Sequence, residues 1–173
     1  MVSERGWRNW IAEYESLQDK RDRSDLSLPP DETHRLNHLR NLLEAGMGTK
    51  TMLSEDNRRF DLRVPCQIEA SIKTDDTTFI GTMHNISTGG IFISCDQSLS
   101  HAQQLTIDIE GIDGKIISRT GKVKWVSDKE TNEDAGHLPP GAGVRLNPAP
   151  AEQDHAFREL VYALLTEKIL GRI

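Results

Sequence analysis

The chain has 173 residues, of which 36% are hydrophobic and 28% are charged, and its formal net charge is −6 at pH 7. This acidic balance disfavours a general binder of nucleic acid or of anionic membranes, because such proteins present a broad basic surface. No apolar stretch approaches the roughly 18–20 residues that span a bilayer, and the N-terminus lacks the apolar core of a signal peptide, so we expect a cytoplasmic protein.

Two helices are predicted in residues 1–50, and we expect them to form an N-terminal helical hairpin. Trp7, Trp10 and Tyr14 recur on one helical face, and a second apolar stripe runs from Leu36 to Leu43. Two helices alone are marginally stable, so the hairpin should pack on the rest of the chain or on a second copy. Trp7 and Trp10 therefore either anchor the hairpin to the following domain or form a face for a homodimer or another protein partner.

Residues 51–150 are predicted to form a β-domain, and residues 151–173 a C-terminal helix. Strand-like runs cover residues 64–73, 77–86, 90–95, 104–111, 115–126 and 141–147. Short strands at this spacing favour a small antiparallel barrel or sandwich, and the polar stretch 127–141 is expected to be a mobile loop. The C-terminal helix should cap an open end of the barrel or pack along it.

Two polar clusters could carry binding chemistry. The first contains Arg58, Arg59 and Arg63 just before the first strand, and the planar fork of arginine suits phosphate oxygens or a guanine edge. The second cluster, residues 84–90, lies between two strands and is rich in Asn, Ser and Gly. Each cluster also has a simpler interpretation, since exposed charge runs are usually only solvated and Asn, Ser and Gly are common turn residues.

Together, the two clusters resemble the double signature of the PilZ domain family. An Arg-xxx-Arg pattern at 59 and 63 is followed by an Asn-x-Ser-xx-Gly pattern over 85–90, and residues 63–65, 90–93, 121–126 and 141–146 are similar to the family's strands. The last strand ends in Leu146 where the family usually has phenylalanine. The resemblance covers about residues 54–170 and implies a six-stranded antiparallel β-barrel with a C-terminal helix, with the hairpin outside it.

Many PilZ domains are receptors for the bacterial second messenger cyclic di-GMP, which carries two phosphates and two guanines. The resemblance implies that Arg59 and Arg63 contact phosphate and guanine edges through bidentate hydrogen bonds. It also implies that Asn85 and Ser87 bond a guanine edge and that Gly90 lets the base lie close to the backbone.

The segment that carries the arginines connects the hairpin to the first strand. Arg58 stands where the family often stacks a side chain on a second ligand molecule, which favours an intercalated ligand dimer. Residues 48–62 are largely polar and contain a glycine, and we expect them to make few apolar contacts. We expect them to be mobile without ligand and to fold over the barrel when ligand binds, which reorients the hairpin toward a protein partner.

Other residues give little reason to expect catalysis, a metal or a resident cofactor. His34 and His38 are four apart on the second predicted helix, without a third ligand of suitable spacing. Cys66 and Cys95 lie in predicted strands, where we expect free buried thiols, and neither they nor His84 has an evident acid–base partner. The sequence thus predicts a non-catalytic receptor. The alternative is a PilZ-like adaptor that needs no ligand and binds proteins in motility or surface-structure assembly.

Overall fold

The computed structural model describes residues 2–23, 27–48, 61–127 and 139–172. The predicted lead-in at 48–62, with Arg58 and Arg59, and the predicted loop at 127–141 lie largely outside the described residues. Within the described ranges no helix is long and apolar enough to cross a membrane. The elements follow in the order α1 (Glu4–Arg23), α2 (Pro30–Gly46), β1 (Val64–Lys73), β2 (Thr78–Ser87), β3 (Gly90–Ser94), β4 (Gln104–Glu110), β5 (Ile116–Ser127), β6 (Gly141–Leu146) and α3 (Ala151–Ile169).

The six strands form a closed antiparallel barrel in the order β1-β2-β3-β6-β5-β4. Each strand begins and ends within one residue of the sequence prediction, and the barrel with its flanking helices confirms the predicted fold. Alternate side chains fill the interior, among them Met83, Ile86, Ile107 and Val123, which are fully buried. Closure pairs every strand on both sides, so the sheet has no free edge.

Contacts within the chain define two units. The helical unit comprises residues 1–62 and 162–173, and the barrel unit comprises residues 63–161, so the two share helix α3. In the barrel unit the start of α3 packs on β5, because the Arg119 guanidinium lies 4.7 Å from the centre of the buried Phe157 ring. In the helical unit the Tyr162 hydroxyl donates a hydrogen bond to Gln18 Oε1 at 2.8 Å. The domain bounds at residues 50 and 150 stay predictions.

Trp7 and Trp10 lie half-buried in the helical unit, with ring centres 5.2 Å apart and ring planes nearly perpendicular. The Trp7 ring lies against Gly46 of α2, where a Cβ would come within 2.6 Å of it. Trp7 therefore packs inside the hairpin itself, a contact that neither sequence-based alternative included.

Candidate functional site

The second motif forms the tight turn between β2 and β3. Ser87 ends β2 and Gly90 begins β3, and the two residues face each other in the antiparallel register. The Ser87 hydroxyl accepts a hydrogen bond from the Gly90 N–H and donates one to the Gly90 carbonyl, both at 3.1 Å. Since the Ser87 side chain is buried and its one proton is committed, it closes the turn and retains a single lone pair as an acceptor.

Gly90 is required here by the packing of neighbouring strands. A Cβ at this position would lie 2.7 Å from the carbonyl oxygen of Val144 on β6, closer than side chains approach. The turn is also tied to β6 by the Leu146 N–H, which donates to the Gly89 carbonyl at 3.0 Å. The motif therefore joins three strands at one end of the barrel.

Asn85 is the motif side chain that the fold presents outward. The β2–β3 ladder has a bulge between Met83 and Asn85, and Asn85 then faces Phe92. Met83 and Ile86 both point into the barrel, so the extra residue turns Asn85 to the outer face. Asn85 is half-buried, and within the described part of the chain no hydrogen bond reaches its side-chain amide. Such an amide has a donor and an acceptor available for the edge of a nucleobase.

Arg63 directly precedes strand β1, two residues before the position that faces Asn85. Its side chain is exposed. Pro65 of β1 faces Asn85 of β2, so the end of the first motif adjoins the second motif. Arg58 and Arg59 lie outside the described residues, and their placement stays a prediction.

Trp125 on β5 extends the same outer face, although no sequence pattern singled it out as a candidate binding residue. It faces Gly143 on β6, and its ring stacks on Phe92 with the ring centres 5.2 Å apart. A Cβ at Gly143 would overlap the indole, so glycine lets the ring lie against the sheet. The side chain is 37% exposed and offers a surface on which a base can stack.

Two residues inside the first motif, Asp61 and Leu62, are held by α1 in the helical unit. The Arg21 guanidinium lies 2.6 Å from Asp61 Oδ1, and Gln18 Nε2 donates to the same oxygen at 3.2 Å. The Leu62 N–H donates to the Tyr14 hydroxyl at 3.2 Å. Burial raises the pKa of Tyr14 to about 12, so this hydroxyl stays neutral. Asp61 and Leu62, the described residues between the two motif arginines, are therefore attached to helix α1.

The two cysteines are free thiols, but they are half-buried and not fully buried as predicted. Cys66 lies at an irregularity of β1 between Pro65 and Ile68, and Cys95 follows the end of β3, so neither occupies a regular interior position. Burial raises the pKa of the Cys66 thiol to about 11 and also raises the pKa of Cys95. Both thiols are therefore protonated at neutral pH and are poor nucleophiles.

The histidines occupy separate positions. His84 Nε2 lies 2.7 Å from the Ser94 hydroxyl, and burial lowers the pKa of the imidazole. His34 and His38 are exposed on α2. Among the residues that the structure describes, no group of three or more side chains could hold a metal ion.

The family model described as PilZ domain matches residues 57–163, which is more than half of the chain. The chain therefore belongs to the PilZ domain family, as the two motifs suggested. No curated protein matches the sequence significantly.

Several solved structures share the fold of this chain at low sequence identity. The PilZ domain of Escherichia coli YcgR with c-di-GMP is 12% identical, with a TM-score of 0.52 over 68% of this chain and 100% of that domain. YcgR from Escherichia coli in complex with c-di-GMP is 15% identical, with a TM-score of 0.53 over 66% of this chain and 49% of that one. The Bacillus subtilis inhibitor of motility MotI/DgrA is 16% identical, with a TM-score of 0.51 over 68% of this chain and 53% of that one. The match thus spans about half of the YcgR and MotI/DgrA chains, and it establishes a common fold.

Proposed function

We propose that this chain is a non-catalytic receptor for cyclic di-GMP, the ligand bound in the two YcgR structures. The proposal rests on the register of β1 and β2, in which Pro65 at the end of the first motif faces Asn85, in a family member that carries both motifs in order. Arg59 and Arg63 bind phosphate oxygens and guanine edges through their planar donors, and Asn85 bonds a guanine edge. Gly90 adds no side chain to the strand surface, so a base can lie close to the backbone there.

The same proposal gives different roles to the remaining residues of the site. Ser87 supports binding through the turn that presents Asn85, and its remaining lone pair can accept a hydrogen bond from a guanine edge. Trp125 provides an aromatic surface on this face of the barrel. Arg58 stacks on a second ligand molecule, so that the ligand binds as an intercalated dimer.

Signalling in this proposal passes through the first motif. A ligand that fixes Arg59 and Arg63 also constrains Asp61 and Leu62 between them. Those two residues are bonded to α1, so the position of this helix responds to ligand and alters a surface for a protein partner. Hydrogen exchange over residues 48–62 tests this step. We expect slower exchange at saturating ligand, and unchanged exchange would exclude the mechanism.

Isothermal titration calorimetry of the full chain with cyclic di-GMP tests the receptor itself. Hydrogen bonds to charged groups contribute about 1.5–3 kcal/mol, so Arg59→Ala and Arg63→Ala should each weaken binding at least tenfold. Arg8→Ala is the matched control, because this exposed arginine pairs with Glu4 in the helical unit. No heat with the wild-type chain, or equal affinity in all variants, would refute the receptor and favour the ligand-independent adaptor.

A further inference from the structure

A second feature of the barrel unit is a cavity of about 410 Å3. It lies where β5 and β6 meet the β2–β3 turn and the residues that lead into α3, and Thr88 and Asn147 form part of its wall. Its charged lining residues are four cations and one anion: Arg119, Lys122, Lys124, Arg145 and Asp154. Small-molecule sites commonly enclose about 300–1,000 Å3, so the cavity has the size of a ligand site.

Three of these cations have no partner among the residues that the structure describes. Within the described residues, Lys122, Lys124 and Arg145 take part in no ion pair and no side-chain hydrogen bond. The other described lysines and arginines of the barrel unit, such as Lys73 and Lys115, all have partners. In a chain of net charge −6, the unpaired positive charges among the described residues of this unit therefore converge on one cavity.

The strand register increases the repulsion between these charges. Lys122 on β5 directly faces Arg145 on β6, and like charges in facing positions destabilise a sheet. The bulge of β5 between Val123 and Trp125 contains Lys124, which lines the same cavity. A bound anion would offset this repulsion, and within the described residues no carboxylate pairs with Lys122, Lys124 or Arg145.

The carboxylate in the cavity does not balance these three charges. Asp154 is already bonded to Arg119 at 3.1 Å and to Arg158 at 2.9 Å. Although burial opposes ionisation, hydrogen bonds and charge from Arg158 and Arg119 hold the pKa of Asp154 below its usual value. Arg119 is 3% exposed and also donates a hydrogen bond to the Asn147 carbonyl at 3.1 Å. Its side chain is therefore held in place at one side of the cavity.

We propose that this cavity is an anion site for a phosphate-bearing ligand, held by Lys122, Lys124 and Arg145. Arg145 faces Gly90 across the β3–β6 ladder, so the cavity begins where the second motif ends. The phosphate comes either from a free small anion or from a cyclic dinucleotide molecule in addition to those bound at the two motifs. The site requires none of the motif side chains, so it stands apart from the proposed receptor function.

Inorganic pyrophosphate is the probe for the free anion, and cyclic di-GMP is the probe for the dinucleotide. Titration of the full chain in a phosphate-free buffer of low ionic strength is followed by NMR of the backbone amides, and calorimetry gives the number of dinucleotide molecules bound. The cavity variant is Lys122→Gln/Lys124→Gln/Arg145→Gln. The control variant removes the same charge from paired exposed residues, as Arg8→Gln/Lys73→Gln/Lys115→Gln.

We expect pyrophosphate to change the NMR chemical shifts of the backbone amides of Thr88, Lys122 and Arg145 in the wild type and in the control variant. The cavity variant should bind pyrophosphate at least tenfold more weakly than the control variant. If pyrophosphate does not bind but the cavity variant takes up one cyclic di-GMP molecule fewer than the control, the dinucleotide is the source of the phosphate.

Identical behaviour of the cavity variant and the control toward both probes would overturn the proposal. The proposed receptor function fails on a separate result, the absence of cyclic di-GMP binding by the wild-type chain. Pyrophosphate binding that depends on the three cations would support the cavity site even then.

Discussion

Replacement of Ser87 by alanine separates two roles that this residue could have in the proposed receptor. The Ser87 hydroxyl exchanges two hydrogen bonds of 3.1 Å with the backbone of Gly90, inside a turn where Ser87 is 5% exposed. Alanine removes the acceptor of the Gly90 N–H in this buried turn. If the hydroxyl chiefly holds the turn, the substitution must lower the stability of the apo chain, with no ligand present.

The magnitude follows from the lost bonds. A buried donor left without a partner costs about 1–3 kcal/mol, so we expect a loss of this size in the free energy of unfolding. For a chain of this length each kcal/mol lowers the melting temperature by about 2–4 °C. Urea unfolding followed by circular dichroism gives the free energy, and thermal unfolding gives an independent value.

Asn85→Ala is the matched comparison, since no hydrogen bond reaches its amide within the described residues. We expect this variant to unfold within about 0.5 kcal/mol of the wild type. Its affinity for cyclic di-GMP should fall by about 1–3 kcal/mol, roughly five- to 150-fold in Kd, because a guanine contact is lost. If Ser87→Ala instead keeps its stability and loses ligand as Asn85→Ala does, Ser87 is a contact residue and the turn argument is wrong.

Three further outcomes are expected. Tyr14→Phe leaves the Leu62 N–H without its acceptor and should cost about 1–3 kcal/mol, with faster exchange of the Leu62 amide; unchanged exchange would contradict the attachment to α1. Lys122→Glu turns repulsion from Arg145 into attraction and should stabilise the apo chain by about 0.2–1 kcal/mol in low salt, a gain that high salt removes. Burial lowers the pKa of His84 below 6.5 in the folded state, so the unfolded state binds the proton more readily and stability should decrease as the pH falls through 6.5. His84→Asn should flatten this part of the pH profile, and an unchanged slope would exclude His84 as its source.

Much of the fold was predictable because the signals for it are local. Alternating apolar residues separated by turn clusters defined all six strands to within one residue. The apolar periodicity of the helices likewise predicted α1, α2 and α3. The family resemblance then selected a closed barrel over a sandwich, which the spacing of the strands alone could not do.

The outward direction of individual side chains was not predictable. Simple alternation from the buried Met83 places Asn85 inside the barrel, and alternation from the buried Val123 places Trp125 inside. A bulge in each strand reverses both positions and puts them on the outer face. The family motif identified Asn85 despite this, but no such motif identified Trp125.

The sequence by itself determined the elements and their order, and through its two motifs the family. These depend on neighbouring residues and on short spacings. The tertiary structure decided which charges face each other and which polar groups already have hydrogen-bond partners within the chain. Only the β5–β6 register places Lys122 against Arg145, and only the turn geometry commits the Ser87 hydroxyl to Gly90. The physical reason is that cross-strand register and bulges depend on the packing of strands far apart in sequence, which no local pattern encodes.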